Sequence, residues 1–150
     1  MERRDGLAPK ETVNAPSLLA VLELYFEAFA EVDPARRREL LARCMTEGGE
    51  IWGPNLRFTG YDAISEKISA FHRNWPGCRL VLASGLVTFA DFVRFGVAFL
   101  GPEGTVVARG ESISEFAADG RIRCVVPFWE MKLPPLPASW PKAWAVTTSG

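Results

Sequence analysis

The sequence predicts an α+β fold with helices first and a curled, mainly antiparallel sheet after them. Three observations carry this. Phe92 to Trp129 reads as three long strands joined at Gly101-Pro102-Glu103-Gly104 and Ala118-Asp119-Gly120, where turn residues separate aromatic and β-branched runs. Ser17 to Trp75 reads as helix, helix, short strand and helix. With 150 residues, 48% of them apolar and including 10 Phe and 5 Trp, the chain can bury a full core as one domain. Three helices packed on a strongly curved sheet are expected to enclose a pocket between the two layers.

Residues 1–16 form a polar lead punctuated by Pro9 and Pro16. Ser17 can cap a first helix reaching about Val32, with Leu18, Leu22, Tyr25, Phe26 and Phe29 near one face. Asp33-Pro34 starts the second helix: the Asp side chain accepts from orphan N–H groups, and Pro at the first position needs no donor. That helix runs to about Cys44 with Leu40, Leu41 and Cys44 inward, and Gly48-Gly49 ends it. Glu50-Ile51-Trp52 is a short strand, Gly53-Pro54-Asn55 a turn, and Leu56-Arg57-Phe58 a further extended piece. Tyr61 or Asp62 opens a third helix through about Asn74, striped by Ile64, Ile68 and Phe71 and stopped by Trp75-Pro76-Gly77. Arg79 to Phe89 is a strand with Gly85 at a bulge or bend, and the last strand ends at Met131. The domain thus covers 17–132, followed by a Pro- and Trp-containing tail over 133–150.

Composition removes several function classes. A formal net charge of −1 gives no field for nucleic acid or an anionic membrane. The one basic run, Arg36-Arg37-Arg38, reads as a solvated helix face. Cys44, Cys78 and Cys124 are odd in number and lack CxxC spacing, which points to thiols in a reducing, cytoplasmic compartment and to neither disulfides nor zinc. Leu18 to Ala30 carries Glu23 and Glu27, so it reads as an amphipathic helix, not a signal or membrane span. No phosphate loop, nucleophile elbow or His–carboxylate cluster stands in the sequence, and no cofactor or metal is expected.

The element order is similar to that of the nuclear-transport-factor-2-like (NTF2-like) superfamily. So are Glu31-Val32-Asp33-Pro34 before the second helix, Gly60 before the third, Ala118-Asp119-Gly120-Arg121-Ile122 between the last strands, and Pro127-Phe128-Trp129. The resemblance covers roughly 17–132 and is nearest the SnoaL-like and ketosteroid-isomerase-like branches. It implies a cone around a hydrophobic pocket. By the same resemblance Tyr25, on the first helix, stands where the isomerase branch places an oxyanion donor, and Trp129 where a pocket aromatic is found. The two carboxylates of that isomerase, a standard case of a neutral acid donating to an oxyanion, are not matched. Gly53 takes the first position and Ser112 the second. The isomerase mechanism therefore does not carry over, and a fold shared by many chemistries does not supply another.

Each candidate has two readings. Tyr25 is a ligand anchor or a helix-packing tyrosine. Ser112 shares strand parity with Ala108, Gly110, Ser114 and Phe116, a small-residue face that either leaves room for a ligand or packs on a helix. Trp52 and Asn55 flank the early turn as pocket-lining candidates. His72 is the only histidine; it is a base if it faces inward with an orienting partner, and otherwise a surface residue at a helix C-terminus. Arg94 clamps an anion or pairs with Glu111 on the outer face of the sheet.

Val107, Ile113, Ile122, Cys124, Val126 and Phe128 are expected to make that outer face apolar, which favours a two-fold homodimer. Tail residues Trp140 and Trp144 are expected to pack on the domain or its partner. The function expected is binding of a small apolar or aromatic molecule, with isomerase-, lyase- or cyclase-type turnover as an open addition. The alternative is an association module whose pocket is filled by its own ten Phe rings.

Overall fold

The computed structural model describes residues 15–130 and 133–146. The lead over 1–14 and the expected strand end at Met131 lie outside the described residues. Helix α1 spans Ala15–Ala30 and α2 spans Pro34–Cys44. Strands β1 (Met45–Trp52) and β2 (Arg57–Thr59) precede α3 (Tyr61–Asn74). The long strands β3 (Arg79–Phe89), β4 (Phe92–Leu100), β5 (Val106–Phe116) and β6 (Ile122–Trp129) follow, and a 3₁₀ turn at Lys142–Trp144 closes the described chain.

One six-stranded sheet has the order β2-β1-β6-β5-β4-β3. All its pairings are antiparallel except β1 with β6, which is parallel and places Ile51 beside Val125. Thus two helices precede the sheet, and the third enters between its edge hairpin β1–β2 and the meander β3–β6. The hairpin turn between β5 and β6 holds Gly120 at φ 87, a conformation that glycine enters without a Cβ penalty.

Local chemistry accounts for the helix ends. Asp33 accepts from Ala35 N at 3.1 Å with Pro34 at the first helical position. Leu18, Leu22, Tyr25 and Phe29 on α1, Leu40, Leu41 and Cys44 on α2, and Ile64 and Ile68 on α3 are buried together with Val93, Phe95 and Val97 of β4. Burial raises the Cys44 thiol to about 12, so it packs as a small apolar side chain.

Four expectations need correction. Gly48-Gly49 does not separate helix from strand: β1 starts directly after α2, and the pair sits where its register against β6 shifts between Met45 and Glu50. Glycines within a strand mark such a bulge. Ile122 belongs to the core and not to the outer face, because a second irregularity, between Glu115 and Phe116, shifts the phase of β6. The tail does not pack on its own domain. Trp144 is 78% exposed and Trp140 49%, and Trp140 Nε1 donates to Trp144 O at 2.9 Å within the tail itself.

Arg37, read as part of a solvated run, is 1% exposed. Its Nε and Nη2 donate to Glu31 O at 2.9 and 2.7 Å, and its Nη1 to Ser65 O at 2.8 Å and Ser69 Oγ at 2.6 Å. The planar guanidinium thus ties the end of α1 to α2 and α3 through oxygens only these helices bring together. Its neighbours Arg36 and Arg38 do meet solvent, paired with Glu39 and Asp62.

Candidate functional site: a cavity between α1, α3 and the sheet

A cavity of about 390 Å³ opens between the inner face of the sheet and helices α1 and α3. This lies toward the small end of the roughly 300–1,000 Å³ found for small-molecule sites. Tyr25 and Phe29 reach it from α1, and Lys67 and Phe71 from α3. Ile51, Leu80, Val97, Ser112 and Val125 complete a buried floor. Trp75, Val107, Trp129 and Glu130, all exposed, form the rim.

Aromatic rings line one side in series. Phe71 stacks on Phe99 with centroids 4.7 Å apart, and Phe99 stacks on Trp129 at 4.5 Å. Such offset stacking adds to the area each ring buries. The wall depends on Gly110 of β5. A Cβ there would stand 2.6 Å from Phe128 O and 2.7 Å from the Trp129 ring, so only glycine lets the indole lie this close to the strand. The small-residue face read from the sequence thus serves to seat an aromatic wall.

Polar groups in the cavity are few. Tyr25 and Ser112 are each 4% exposed, and neither hydroxyl has a hydrogen-bond partner among the described residues. The polar side-chain atoms shut off without a partner are Trp52 Nε1 and Ser114 Oγ. The hydroxyls of Tyr25 and Ser112 therefore open onto the cavity. Burial, with a smaller contribution from Cys44, pushes the Tyr25 phenol well above its usual range, so it remains a neutral donor. Lys67 is half-buried, and its Nζ lies 5.2 Å from the Phe58 ring centroid. Desolvation lowers its pKa, and no ion pair or hydrogen bond holds it among the described residues.

The structure brings Tyr25, Ser112 and Trp129 to one cavity and leaves the other candidates outside it. Ile51 faces inward, so strand alternation sends Trp52 to the opposite face, where the Arg57 guanidinium lies 4.0 Å from its ring centroid. Asn55 is exposed in the turn beyond Trp52. His72 Nε2 stands 2.6 Å from Phe29 O; the carbonyl can only accept, so His72 donates there and caps the end of α1. Arg94 pairs with Glu111 on the outer face at 2.8 Å. Val107, expected outside, sits at the rim because a register shift between Phe99 and Leu100 interrupts the β4–β5 ladder.

Sequence reasoning missed Lys67. The signal was its spacing, three residues after Ile64 and four before Phe71, on the edge of the α3 stripe. Among the described residues no cluster of His, Cys, Asp or Glu could hold a metal ion, and no helix is long and apolar enough to cross a membrane.

No protein-family model and no curated protein matches the sequence. Solved structures do. A candidate isomerase of the SnoaL-like family from Agrobacterium tumefaciens str. C58 is 30% identical, with a TM-score of 0.70 over 77% of this chain and 98% of that one. A protein of unknown function with a cystatin-like fold from Methylobium petroleophilum PM1 is 18% identical, with a TM-score of 0.64 over 92% and 97%. A candidate SnoaL-like polyketide cyclase from Jannaschia sp. CCS1 is 16% identical, with a TM-score of 0.62 over 78% and 88%. The latter two share the fold, whereas the first combines fold, identity and near-complete coverage: the chain belongs to the SnoaL-like family.

Proposed function

We propose that the cavity binds a small aromatic or apolar carbonyl compound and that Tyr25 and Ser112 donate hydrogen bonds to its oxygen. The observation that carries this reading is the pair of hydroxyls, free of protein partners among the described residues, opening onto an aromatic-walled space. Two neutral donors at one oxygen favour an enolate over its parent ketone, because charge that develops on the oxygen gains most from fixed donors in a dry site. That suits isomerase- or cyclase-type chemistry, the classes named for two of the structural relatives. An engineered cavity of about 150 Å³ holds benzene, so 390 Å³ suits two or three rings better than a steroid's four.

Thermal-shift and calorimetric titration with bicyclic and tricyclic ketones and phenols tests the reading. A ligand at about one hundred times its dissociation constant adds roughly 2.7 kcal/mol. Tyr25→Phe and Ser112→Ala should each weaken a hit by about three- to tenfold, the loss of one net hydrogen bond. Silence across such a panel favours the rival reading, an association module.

The outer face of the sheet supports a homodimer. Val87, Phe89, Phe92, Ile113 and Phe128 are exposed there around the Arg94–Glu111 pair, and exposed apolar side chains gathered on one face mark interaction surfaces. Sedimentation of the wild type and of Ile113→Asp tests this: a dimer that the aspartate splits supports it, and a wild-type monomer at micromolar concentration sinks it.

A further inference from the structure

We infer that the ligand of this cavity is an organic acid, whose carboxylate pairs with Lys67 while its ring system lies along Phe71, Phe99 and Trp129. The inference rests on the ligand-binding reading above and narrows it to one chemical class.

Lys67 is placed for this by α3. Four residues before Phe71, it shares that ring's side of the helix, so a molecule stacked on the aromatic wall has the lysine stem alongside it. The ammonium lies against the Phe58 ring, a weak electrostatic contact that satisfies none of its three N–H donors. The carboxylate lining the same cavity, Glu130, is at the exposed rim and not within ion-pair distance of Lys67. Some cations of the fold have found acids, as Arg36 with Glu39, Arg73 with Glu66 and Arg94 with Glu111. Arg43, Arg79 and Arg109 have none among the described residues but stand exposed in water, so what sets Lys67 apart is being unpaired while half-buried at a cavity wall.

A half-buried cation without a counter-charge disfavours the folded state, and such groups gather where a ligand supplies the missing charge. The rest of the lining fixes what that ligand is. One cation beside stacked rings, with two neutral hydroxyl donors deeper in, matches an aromatic body carrying one anionic group and one acceptor oxygen. A polyphosphate does not fit, because a single lysine cannot neutralise it and the other walls are apolar. A purely hydrocarbon ligand does not fit either, because it would bury the lysine and both hydroxyls unpaired.

The test compares 2-naphthoate with 2-naphthamide, equal in shape and different in charge, by calorimetry on the full chain at neutral pH. Wild-type protein should bind the acid about tenfold more tightly than the amide, with only the acid weakening as salt rises. Lys67→Met should remove the preference by lowering affinity for the acid alone, whereas Lys67→Arg should keep it. Melting of Lys67→Met at or above the wild-type temperature excludes misfolding as the cause. Equal binding of acid and amide, or a preference that survives in Lys67→Met, overturns the organic-acid inference and leaves the pocket reading standing. Binding of neither, together with silence from the ketones and phenols, overturns both.

Discussion

Arg37 and Lys67 are both cations drawn out of water on the helical side of this fold, and they are treated oppositely. Arg37 is closed over by oxygens from α1 and α3, while Lys67 meets one aromatic face and an open cavity. Around Arg37 burial lowers the pKa, and the charges of Glu31, Glu66 and Asp33 push it back. Around Lys67 burial acts alone. The first cation is finished by the fold and the second is left unfinished by it. An incomplete polar site that opens on a cavity is a better guide to function than a charge that is merely buried.

The sharpest way to break the comparison is Arg37→Met. It strands the Glu31 and Ser65 carbonyls, and loss of about 3–5 kcal/mol in urea unfolding is expected. A loss near zero would mean that the arginine is no more needed than the lysine. Lys67→Met comes next and has the opposite sign. Its folded pKa lies below the unfolded value, so the protonated lysine disfavours the folded state at neutral pH. That penalty fades as pH rises through the folded pKa toward about 10.4. Lys67→Met should therefore be the more stable protein at pH 7, and the gap from wild type should narrow in alkali. Urea midpoints at two pH values check this, and a less stable Lys67→Met would show an unrecognised structural role. The smallest effect is at His72. Substitution by Ala leaves the Phe29 carbonyl without its cap and should cost about 1 kcal/mol, with ligand affinity unchanged. A large fall in affinity would return His72 to the site.

The same contrast explains what was legible in the sequence. Elements bounded by local chemistry were: Asp33-Pro34 began α2, Trp75 ended α3, and Gly120 turned β5 into β6. The inward placing of Ser112 and Trp129 came from the family resemblance, and both residues do line the cavity. Phase was lost wherever a strand slipped by a residue. Ile122 stands beyond one such slip and Val107 within another, and no pattern of apolar residues reveals where a ladder skips. Trp52 was misjudged by a single residue of parity, its neighbour Ile51 being the one that faces the cavity. Arg37 and Lys67 were misjudged for a different reason: spacing places each on a helix face but not in its surroundings. Whether a cation on a helix is solvated, enclosed or left waiting depends on groups far along the chain, such as Ser65 and Ser69 for the arginine.

The parallel pairing of β1 with β6 has a kinetic consequence. Hairpins β3–β4, β4–β5 and β5–β6 join near neighbours and can close early, but Ile51 meets Val125 only after most of the chain has been brought round. Both residues belong to the cavity floor. A chain with its meander formed and β1 undocked would thus have a cavity floor left open where Ile51 belongs. Ligand should bind after the rate-limiting step of folding, slowing unfolding while leaving the refolding rate unchanged.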